Sequence, residues 1–507
     1  MTPAAGQRHD GARWPRPRSF DRNLVVIGAG AAGLTAAYLG ATLKARVTLV
    51  EAATMGGDCL NYGCVPSKAL LHAAGLVRQI RGAAALGVDA GEPQVDFARV
   101  MERVHSTIAT IAPHDSVERF AALGVDVVRG RARLTSPWQV EIETADGVRT
   151  LTTRAVVVAT GSEPVVAKLP GLDGAEIVTT DTVWALRTLP GRLLVLGGGP
   201  VGCELAQAFA RLGAEVTVVE AGERVLGHED EDASKAVQAA LRDDGVTVFT
   251  GHKVLRVEAT SEGRHAVLRH RGGERRVPFD AVLSAIGRRA RTAGLGLEAL
   301  GIALDADGTV ATDAALRSRR HPHIVACGDV AGPWQLTHAA SHQAGIAAIN
   351  ALFGARFDGV HAVMPWTTFT DPEVARVGVS EHDAKRDGID VQITRVDFAA
   401  VDRAIVDDAS RGFVKLLTTR GNDRIIGATI VGEHAGELLA EVVLAMTNGI
   451  GLDKIARTVH AYPTLAEVIR EAALQWRLGH VPGWLRRTIE WFFTWRRRGF
   501  AGRAADT

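Results

Sequence analysis

Residues 23–52, NLVVIGAGAAGLTAAYLGATLKARVTLVEA, decide the fold. An apolar run leads into Gly28, Gly30 and Gly33, a helical pattern follows, and a second apolar run ends at Glu51. In a βαβ unit, such glycines let the turn and the helix N-terminus approach a pyrophosphate, and the acid hydrogen-bonds a ribose. The stretch therefore predicts a Rossmann-like dinucleotide-binding unit.

The pattern recurs in residues 192–221, RLLVLGGGPVGCELAQAFARLGAEVTVVEA. The second copy supplies Gly197, Gly199, Gly202 and Glu220. In both copies 23 residues separate the first glycine from the acid, and the copies lie 169 residues apart. The chain is therefore expected to bind two dinucleotides.

The acid of the second copy indicates which nicotinamide nucleotide binds there. Glu220 suits a free 2′-hydroxyl and would repel a 2′-phosphate, which favours NADH over NADPH. Arg224 lies nearby and weakens this preference, although a solvated surface arginine is the simpler interpretation of it.

Composition narrows the class of protein. A chain of 507 residues is expected to form two to four domains, and 47% hydrophobic residues with a formal charge of +1 argue against disorder and against a global nucleic-acid or membrane field. Four cysteines and the lack of a signal-peptide pattern favour a reducing cytoplasm. No apolar run reaches the ~18 residues of a transmembrane helix. Residues 1–21 have the composition of a disordered arm.

The stretch GGDCLNYGCVPSKALL, residues 56–71, holds two cysteines. Pro66 suits the first position of a helix, which would set Cys64 just outside the helix N-terminus, where a thiolate is stabilised. A disulfide with Cys59 requires the intervening residues to curl, and Gly63 permits this. A metal clip would need a second pair, and a structural disulfide is disfavoured in a reducing compartment. The residues thus favour a redox dithiol over both alternatives.

Several ordered motifs resemble one family. They are GGDCLNYGCVPSK, VVVATGSEP (156–164), LSAIGRRART (283–292), HIVACGDVAG (323–332) and HAYPTLAE (460–467). Together they are similar to the class I pyridine nucleotide-disulfide oxidoreductases, the family of dihydrolipoyl dehydrogenase, glutathione reductase and mercuric reductase. The resemblance covers about residues 22–475.

The resemblance implies an α/β fold with two Rossmann-like domains, for FAD and for NAD(P), followed by a C-terminal α+β dimerisation domain. It divides the chain into an FAD-binding domain (22–160 and 282–355), an NAD(P)-binding domain (161–281) and an interface domain (361–475). The arm (1–21) and a basic aromatic tail (476–507) flank these domains.

Cofactor roles also follow from the resemblance. FAD would be held by the 28–33 loop and Glu51 and lined by Thr160, Gly161, Gly287 and Asp329. NADH would occupy the second unit. Cys64 would be the thiol next to the flavin and Cys59 the thiol that attacks the substrate. Lys68 would pair with Glu204 beside the flavin and stabilise negative charge on it.

The motif HAYPTLAE suggests a proton donor. Pro463 suits a helix start, which would place His460 on the preceding loop and Glu467 about one turn into the helix. A thiolate leaving group needs a donor titrating near neutrality, and a carboxylate fixes the imidazole tautomer. The resemblance places this dyad across a homodimer interface, where it acts on Cys59 of the partner subunit.

The predicted function is that of an FAD-dependent NAD(P)H:disulfide oxidoreductase. Electrons would pass from the nicotinamide through FAD to Cys59–Cys64 and on to a small disulfide or a lipoyl or thiol protein. The alternatives are a dihydrolipoyl dehydrogenase, a mercuric reductase-like enzyme and a membrane-docked electron relay. No cysteine precedes Cys59 or follows Cys327, which weakens the mercuric alternative. No metal or nucleic acid is expected to bind. Cys203 and Cys327 are predicted to be small buried residues.

The C-terminal tail, residues 476–507, also departs from the family pattern. Trp484, Trp491 and Trp495 recur at helical spacing, arginines flank them, and residues 476–507 hold seven arginines against two acids. One interpretation is an amphipathic helix over 484–498 in peripheral contact with an anionic membrane. The other is a helix that packs its aromatic face on its own domain or on the dimer partner.

Overall fold

The computed structural model of the protein describes residues 14–173, 176–261, 263–270 and 272–497. Most of the predicted arm and the end of the predicted tail, including Arg498, lie outside the described residues. The described chain divides into two compact units, one formed by residues up to 228 together with 237–362, the other by 229–236 together with the residues from 363 onward.

The strands and helices are as follows. The strands are β1 (Leu24–Ile27), β2 (Val47–Glu51), β3 (Asp126–Arg129), β4 (Arg131–Ser136), β5 (Gln139–Thr144), β6 (Gly147–Thr152), β7 (Val156–Val158), β8 (Ser162–Pro164), β9 (Glu176–Val178), β10 (Arg192–Leu196), β11 (Glu215–Val219), β12 (Thr247–Phe249), β13 (Lys253–Thr260), β14 (Gly263–His270), β15 (Gly273–Phe279), β16 (Ala281–Ser284), β17 (Arg288–Ala290), β18 (Ile324–Ala326), β19 (Pro365–Thr368), β20 (Glu373–Gly378), β21 (Val391–Asp397), β22 (Phe413–Thr419) and β23 (Ile425–Gly432). The helices are α1 (Ala31–Thr42), α2 (Gly57–Asn61), α3 (Cys64–Gly82), α4 (Phe97–Ile111), α5 (Val117–Ala122), α6 (Pro200–Arg211), α7 (Glu231–Asp243), α8 (Thr337–Phe353), α9 (Glu381–Asp387), α10 (Asp402–Val406), α11 (Ala435–Thr447), α12 (Leu452–Arg457), α13 (Glu467–Gly479) and α14 (Gly483–Arg497).

The first unit contains a parallel sheet in the order β18-β7-β1-β2-β3. All four residues of β1 are buried, as expected for a central parallel strand covered on both faces. One core cluster joins Leu24 and Leu49 of the sheet to Ala36 of α1 and Ala344 of α8. Because β18 pairs with β7, the chain after the second nucleotide motif returns to complete the first sheet.

The second nucleotide motif builds its own sheet in the order β12-β11-β10-β16-β9, with every pair parallel. Strand β16 belongs to this sheet through its last residue, Ser284, which pairs with Leu196. The predicted domain boundary between 281 and 282 therefore falls inside a strand. Sequence motifs could not place this boundary, because the apolar strand β16 runs without a break into the motif LSAIGRRART (283–292).

The second unit has an antiparallel sheet in the order β19-β20-β23-β22-β21. Its core joins Val377, Leu416 and Ile430 of the strands to Leu439 of α11 and Ile469 of α13. An antiparallel sheet covered by helices is the predicted α+β domain, so the predicted fold class is confirmed for both parts of the chain.

Candidate active site

Two glycine loops provide places for dinucleotides in the first unit. A Cβ on Gly33 would lie 1.7 Å from the carbonyl oxygen of Gly28, so only glycine lets α1 approach the turn this closely. Gly30 and Gly199 are the N-caps of α1 and α6, and within the described chain no side chain caps either helix. The N–H groups of both first turns thus remain for an anionic ligand such as a pyrophosphate.

The two acids that end the motifs hold their loops in the same way. Glu51 accepts hydrogen bonds from the N–H groups of Ala29 at 2.6 Å and Ala53 at 2.7 Å. Glu220 accepts from Gly198 and Gly222, both at 2.6 Å. Each carboxylate therefore lies at the carboxyl end of its strand beside the glycine loop, where a ribose hydroxyl is bound in this fold.

Of the remaining predicted FAD residues, Thr160 lies against the first loop, since its Cα is 3.2 Å from where a Cβ on Gly28 would lie. Gly161 and Gly287 have φ angles of 68° and 117°, and open space lies where a Cβ would project from each. Ser162 Oγ donates to Asp329 Oδ2 at 2.6 Å, and Thr160 Oγ1 donates to the carbonyl of Arg291 at 2.7 Å. Open glycine surfaces and an acceptor carboxylate fit a dinucleotide that lies against the backbone.

The two cysteines lie on consecutive helices that pack on this loop. Cys59 is in α2, whereas Cys64 is the first residue of α3, with Gly63 as its N-cap. The prediction that the helix begins at Pro66 was thus wrong by two residues, since Pro66 fits the third helical position, where a missing N–H is still harmless. A Cβ on Gly57 would lie 2.5 Å from Cα of Gly30, so the thiol segment touches the dinucleotide loop directly.

Both thiols are free and hydrogen-bonded to each other. The hydrogen bond from Cys59, followed by that from Thr337 and by the positive charge of Lys68, lowers the pKa of Cys64 to about 6 against an opposing effect of burial. The hydrogen bond to Cys64 and burial raise the pKa of Cys59. The pair therefore holds one thiolate and one thiol near neutral pH, a state suited to thiol–disulfide exchange.

Lys68 and Glu204 come together as the resemblance implied. Lys68 Nζ lies 2.7 Å from Glu204 Oε2, and the side chain of Glu204 is only 7% exposed. Lys68 is one turn beyond Cys64 on α3, and Glu204 is in the first turn and a half of α6. The ion pair thus links the thiol helix to α6, the helix of the second nucleotide motif.

Sequence reasoning missed two groups next to the thiols. Thr337 Oγ1 is 3.3 Å from Cys64 Sγ. Arg288 hydrogen-bonds Asp58, the residue before Cys59, and donates from Nε to Ser162 Oγ at 2.8 Å. Both neighbours are more than 200 positions away along the chain, so no local spacing indicates them. The local signal was the charge of Asp58 itself, which indicates a cationic partner without saying which one.

His460 lies in the second unit, and its carboxylate partner there is not the predicted one. Its Nε2 lies 3.0 Å from Glu441 Oε1, its Nδ1 lies 3.2 Å from the carbonyl oxygen of Thr458, and its side chain is 7% exposed. Glu467 instead accepts from the N–H of Thr464 at 3.4 Å. Within the described residues of one subunit, the expected His460–Glu467 pair is replaced by His460–Glu441.

The cause of this difference is the position of the helix start. The prediction began the helix at Pro463, but α13 begins at Glu467, and residues 465 and 466 before it form a turn. Glu467 is therefore in the first helical turn, where its carboxylate accepts from the backbone N–H of Thr464 rather than contacting the imidazole of His460. Tyr462, two residues after His460, is 70% exposed and donates from its hydroxyl to Asp402 at 3.1 Å.

The other two cysteines are buried away from this chemistry. Cys203 and Cys327 are both inaccessible. Burial raises the pKa of Cys327 to about 12 and also raises that of Cys203, so neither is a thiolate near neutral pH. Among the described residues, no group of three or more His, Cys, Asp or Glu side chains is placed to hold a metal ion.

Comparison with known proteins agrees with this geometry. Residues 22–344 match the family described as pyridine nucleotide-disulphide oxidoreductase, and residues 364–473 match the dimerisation domain of that family. The chain belongs to the pyridine nucleotide-disulphide oxidoreductase family.

Its relatives extend over most of its length. It is 37% identical over 464 residues to a dihydrolipoyl dehydrogenase of Thermus scotoductus. That match covers 89% of this chain and 96% of the relative. It is 35% identical over 457 residues to one of Chlamydia muridarum, with coverage of 89% and 96%. The structure of LpdA from Mycobacterium tuberculosis superposes with a TM-score of 0.81 at 30% identity, covering 89% of this chain and 99% of LpdA.

A further solved structure is that of the HOCl-induced flavoprotein disulfide reductase RclA from Escherichia coli, in a complex with Cu(II). It superposes with a TM-score of 0.79 at 27% identity and covers 90% of this chain and 99% of RclA. The predicted family and enzyme class are thus confirmed: the protein is an FAD-dependent pyridine nucleotide-disulfide oxidoreductase that acts on sulfur groups.

Proposed function

We propose that the enzyme uses NADH to reduce a disulfide substrate through Cys59 and Cys64. The observation that carries this proposal is the asymmetric thiol pair, in which the pKa of Cys64 is lowered to about 6 while that of its hydrogen-bonded neighbour is raised. Bound FAD would supply the hydride acceptor that delivers two electrons to the pair. A dithiol in this state can attack a disulfide and then close to Cys59–Cys64.

The protein groups around the pair have separate roles. Cys59 is the proposed attacking thiol, and because its pKa is raised, its proton must first pass to a base, for which His460 is the proposed group. Cys64 keeps the thiolate and then attacks the mixed disulfide at Cys59, which closes Cys59–Cys64 and releases the substrate thiol. Thr337 and Lys68 hold charge on Cys64, and Glu204 fixes the position of Lys68. The loops of Gly28, Gly30 and Gly33 and of Gly197, Gly199 and Gly202, with their acids Glu51 and Glu220, would bind FAD and NADH.

NADH is the proposed nicotinamide nucleotide. Glu220 accepts two backbone N–H groups and so presents its negative charge at the loop where the ribose binds. The guanidinium of Arg224 donates from Nη2 to the carbonyl oxygen of Gly227 at 3.2 Å, which holds it toward its own loop. A 2′-phosphate would thus meet an anchored carboxylate.

A second candidate is dihydrolipoyl dehydrogenase activity, which runs the same path in the opposite direction. It is favoured by the curated relatives of that name. We propose that the enzyme is a homodimer through 361–475 and that His460, held by Glu441, supplies the proton for the thiol leaving group. Assays with dihydrolipoamide and NAD+, and with small disulfides and NADH, separate the two directions.

Anaerobic titration of the FAD-loaded enzyme with NADH tests the thiol mechanism. Two-electron reduction should produce a long-wavelength thiolate band in the wild type, and Cys59→Ser should change the number of electrons taken up. If the flavin bleaches at once in both proteins without this band, the dithiol is idle and the proposal is wrong.

We also propose that the enzyme works at the cytoplasmic surface of a membrane through residues 484–498. In the described part of the chain no helix is long and apolar enough to cross a bilayer, so any contact would be peripheral. The support is α14, of which no described residue is buried. Sedimentation of the full chain with lipid vesicles tests this location separately from the redox activity.

A further inference from the structure

Helix α14 is additional to the family fold. The match to the dimerisation domain ends at residue 473, and α14 spans Gly483–Arg497. The solved relatives LpdA and RclA are covered almost completely, at 99%, although only 89–90% of this chain is used. The helix therefore needs an explanation other than the chemistry shared with these relatives.

The residues of α14 segregate by polarity. With about 3.6 residues per turn, Trp484, Trp491 and Trp495 fall on one narrow stripe, because they are separated by seven and four positions. Leu485, Ile489, Phe492 and Phe493 widen this stripe into an apolar face. Arg486, Arg487, Glu490, Thr494 and Arg497 lie on the opposite side. Arg496, in the last turn, is the exception: it falls within the apolar face between Phe492 and Ile489, and its carbon ζ is 5.8 Å from the ring centre of Phe492.

Most of the apolar face is exposed, and of its apolar side chains only Leu485 is half-buried. Trp484, Trp491 and Trp495 are 63%, 67% and 52% exposed, and Phe493 is 53% exposed. Large apolar side chains exposed together on one helix indicate a surface that is covered in the working protein. The interpretation that this face packs on its own domain is therefore not met within the described chain.

Charge decides between the possible occupants. The described helix carries four arginines and one glutamate, so a second copy of it would be repelled. Its 15 residues span about 22 Å, too short for a hydrocarbon core of about 30 Å, and its arginines exclude insertion across it. Tryptophan prefers the boundary between lipid headgroups and acyl chains, and arginine bonds to lipid phosphate.

We propose that α14 lies in the plane of an anionic lipid bilayer, with the three tryptophans at the headgroup boundary and the arginines on anionic headgroups. This inference rests on the peripheral contact proposed above and adds the lipid class and the orientation. Because the helix joins the domain directly after α13, binding would hold the second unit at the membrane surface.

The test is partition of the FAD-loaded full chain onto vesicles of phosphatidylcholine alone or with phosphatidylglycerol. Binding should be strong only with phosphatidylglycerol. Arg486→Glu with Arg487→Glu should weaken it more than ~10-fold, since each basic residue near an anionic surface contributes about one factor of five. Arg319→Glu with Arg320→Glu, an adjacent exposed pair in the first unit, is the charge-matched control and should bind normally.

A second variant, Trp484→Ala with Trp491→Ala and Trp495→Ala, tests the apolar face. Alanine is the best helix former, so the helix persists while its membrane anchor is lost. Binding should fall more than ~10-fold while NADH-dependent disulfide reduction stays within about twofold. Bromine-labelled lipids should quench tryptophan fluorescence in the wild type only.

Three results would overturn the inference. Equal binding to both kinds of vesicle would keep the peripheral contact but refute the anionic lipid class. Failure to bind either kind would refute both the contact and the lipid class, while the redox function would stand on its own assays. A tryptophan-dependent change in oligomeric mass, or binding to DNA or RNA instead of vesicles, would identify a different occupant.

Discussion

Lys68 Nζ contacts Glu204 Oε2 at 2.7 Å. Lys68 is in α3, which starts at Cys64, and Glu204 is in α6, the helix of the second nucleotide motif. Glu204 is almost fully buried, and the positive charge of Lys68 contributes to lowering the pKa of Cys64. One ion pair therefore connects α3, which carries Cys64, with α6 of the second nucleotide motif. It orients the ammonium group, and the ammonium group favours the thiolate.

Replacing Glu204 with Gln should slow the reduction of Cys59–Cys64 by NADH on the order of 10- to 100-fold, since Lys68 loses the charge that orients it. Single-turnover stopped-flow measurement of the thiolate band reports this step. Glu231→Gln is the matched control, because it removes an ion pair of similar length, 2.5 Å to Lys235, that is solvent-exposed on both sides. Unchanged reduction in Glu204→Gln would contradict the role of the pair.

The thiolate of Cys64 should appear as the pH is raised through about 6 and disappear below it. Its folded pKa is lowered from the ordinary value, so the ionised form dominates above the folded pKa and is lost as the pH falls. Thr337→Val removes one hydrogen bond to the sulfur and should move the midpoint upward by about one unit. The pH titration of the long-wavelength band in the two-electron reduced enzyme measures both values. A midpoint that stays in place would show that Thr337 does not stabilise the thiolate.

Glu220→Gln should raise the ratio of kcat/KM for NADPH to that for NADH by at least ~10-fold, because the amide keeps a hydrogen-bond acceptor but loses the charge that repels a 2′-phosphate. Steady-state kinetics with both nucleotides measure the ratio. Glu223→Gln removes a charge from an exposed neighbour on the same loop and should leave the ratio nearly unchanged. A similar increase in both variants would mean that general loop charge, not Glu220, selects the nucleotide.

Local patterns predicted the parts of the site that lie close together in sequence. Gly28, Gly33 and Glu51 are linked by the geometry of one βαβ unit, so their spacing determines where they meet. The same holds for Cys59 and Cys64, which lie on the consecutive helices α2 and α3. Lys68 and Glu204 are 136 residues apart in sequence, so their pairing could be predicted only from the resemblance to a family.

The errors arose where several backbone conformations fit the same residues. Proline is compatible with the first turn of a helix at more than one position, so Pro66 and Pro463 marked helices without fixing their first residues. A shift of four residues at Pro463 placed Glu467, the predicted partner of His460, in the first turn of α13, where it accepts from the N–H of Thr464 instead. The true partner within the subunit, Glu441, comes from α11, which α12 separates from the loop along the chain, and tertiary packing alone brings it to the loop.

His460 and Glu441 provide the sharpest test of the proton donor. Because Glu441 is the carboxylate that contacts the imidazole, Glu441→Gln should reproduce much of the loss caused by His460→Gln in disulfide reduction, a loss of about 10²- to 10⁴-fold if His460 is a general acid. Glu467→Gln should have a smaller effect, since its carboxylate caps Thr464 in the subunit. The pH profile of kcat separates loss of a proton donor from misfolding, because a structural defect would lower kcat without moving the acid limb.

Tyr462→Phe decides whether the donor is His460 at all. Tyr462 is far more exposed than His460 and lies on the same loop, so a phenol could replace the imidazole at the thiols. If His460 is the donor, Tyr462→Phe should change kcat by no more than a few fold, because the variant loses only the exposed hydrogen bond to Asp402. If instead Tyr462→Phe abolishes turnover while His460→Gln with intact folding retains it, the proton comes from Tyr462 and the buried His460–Glu441 pair is structural.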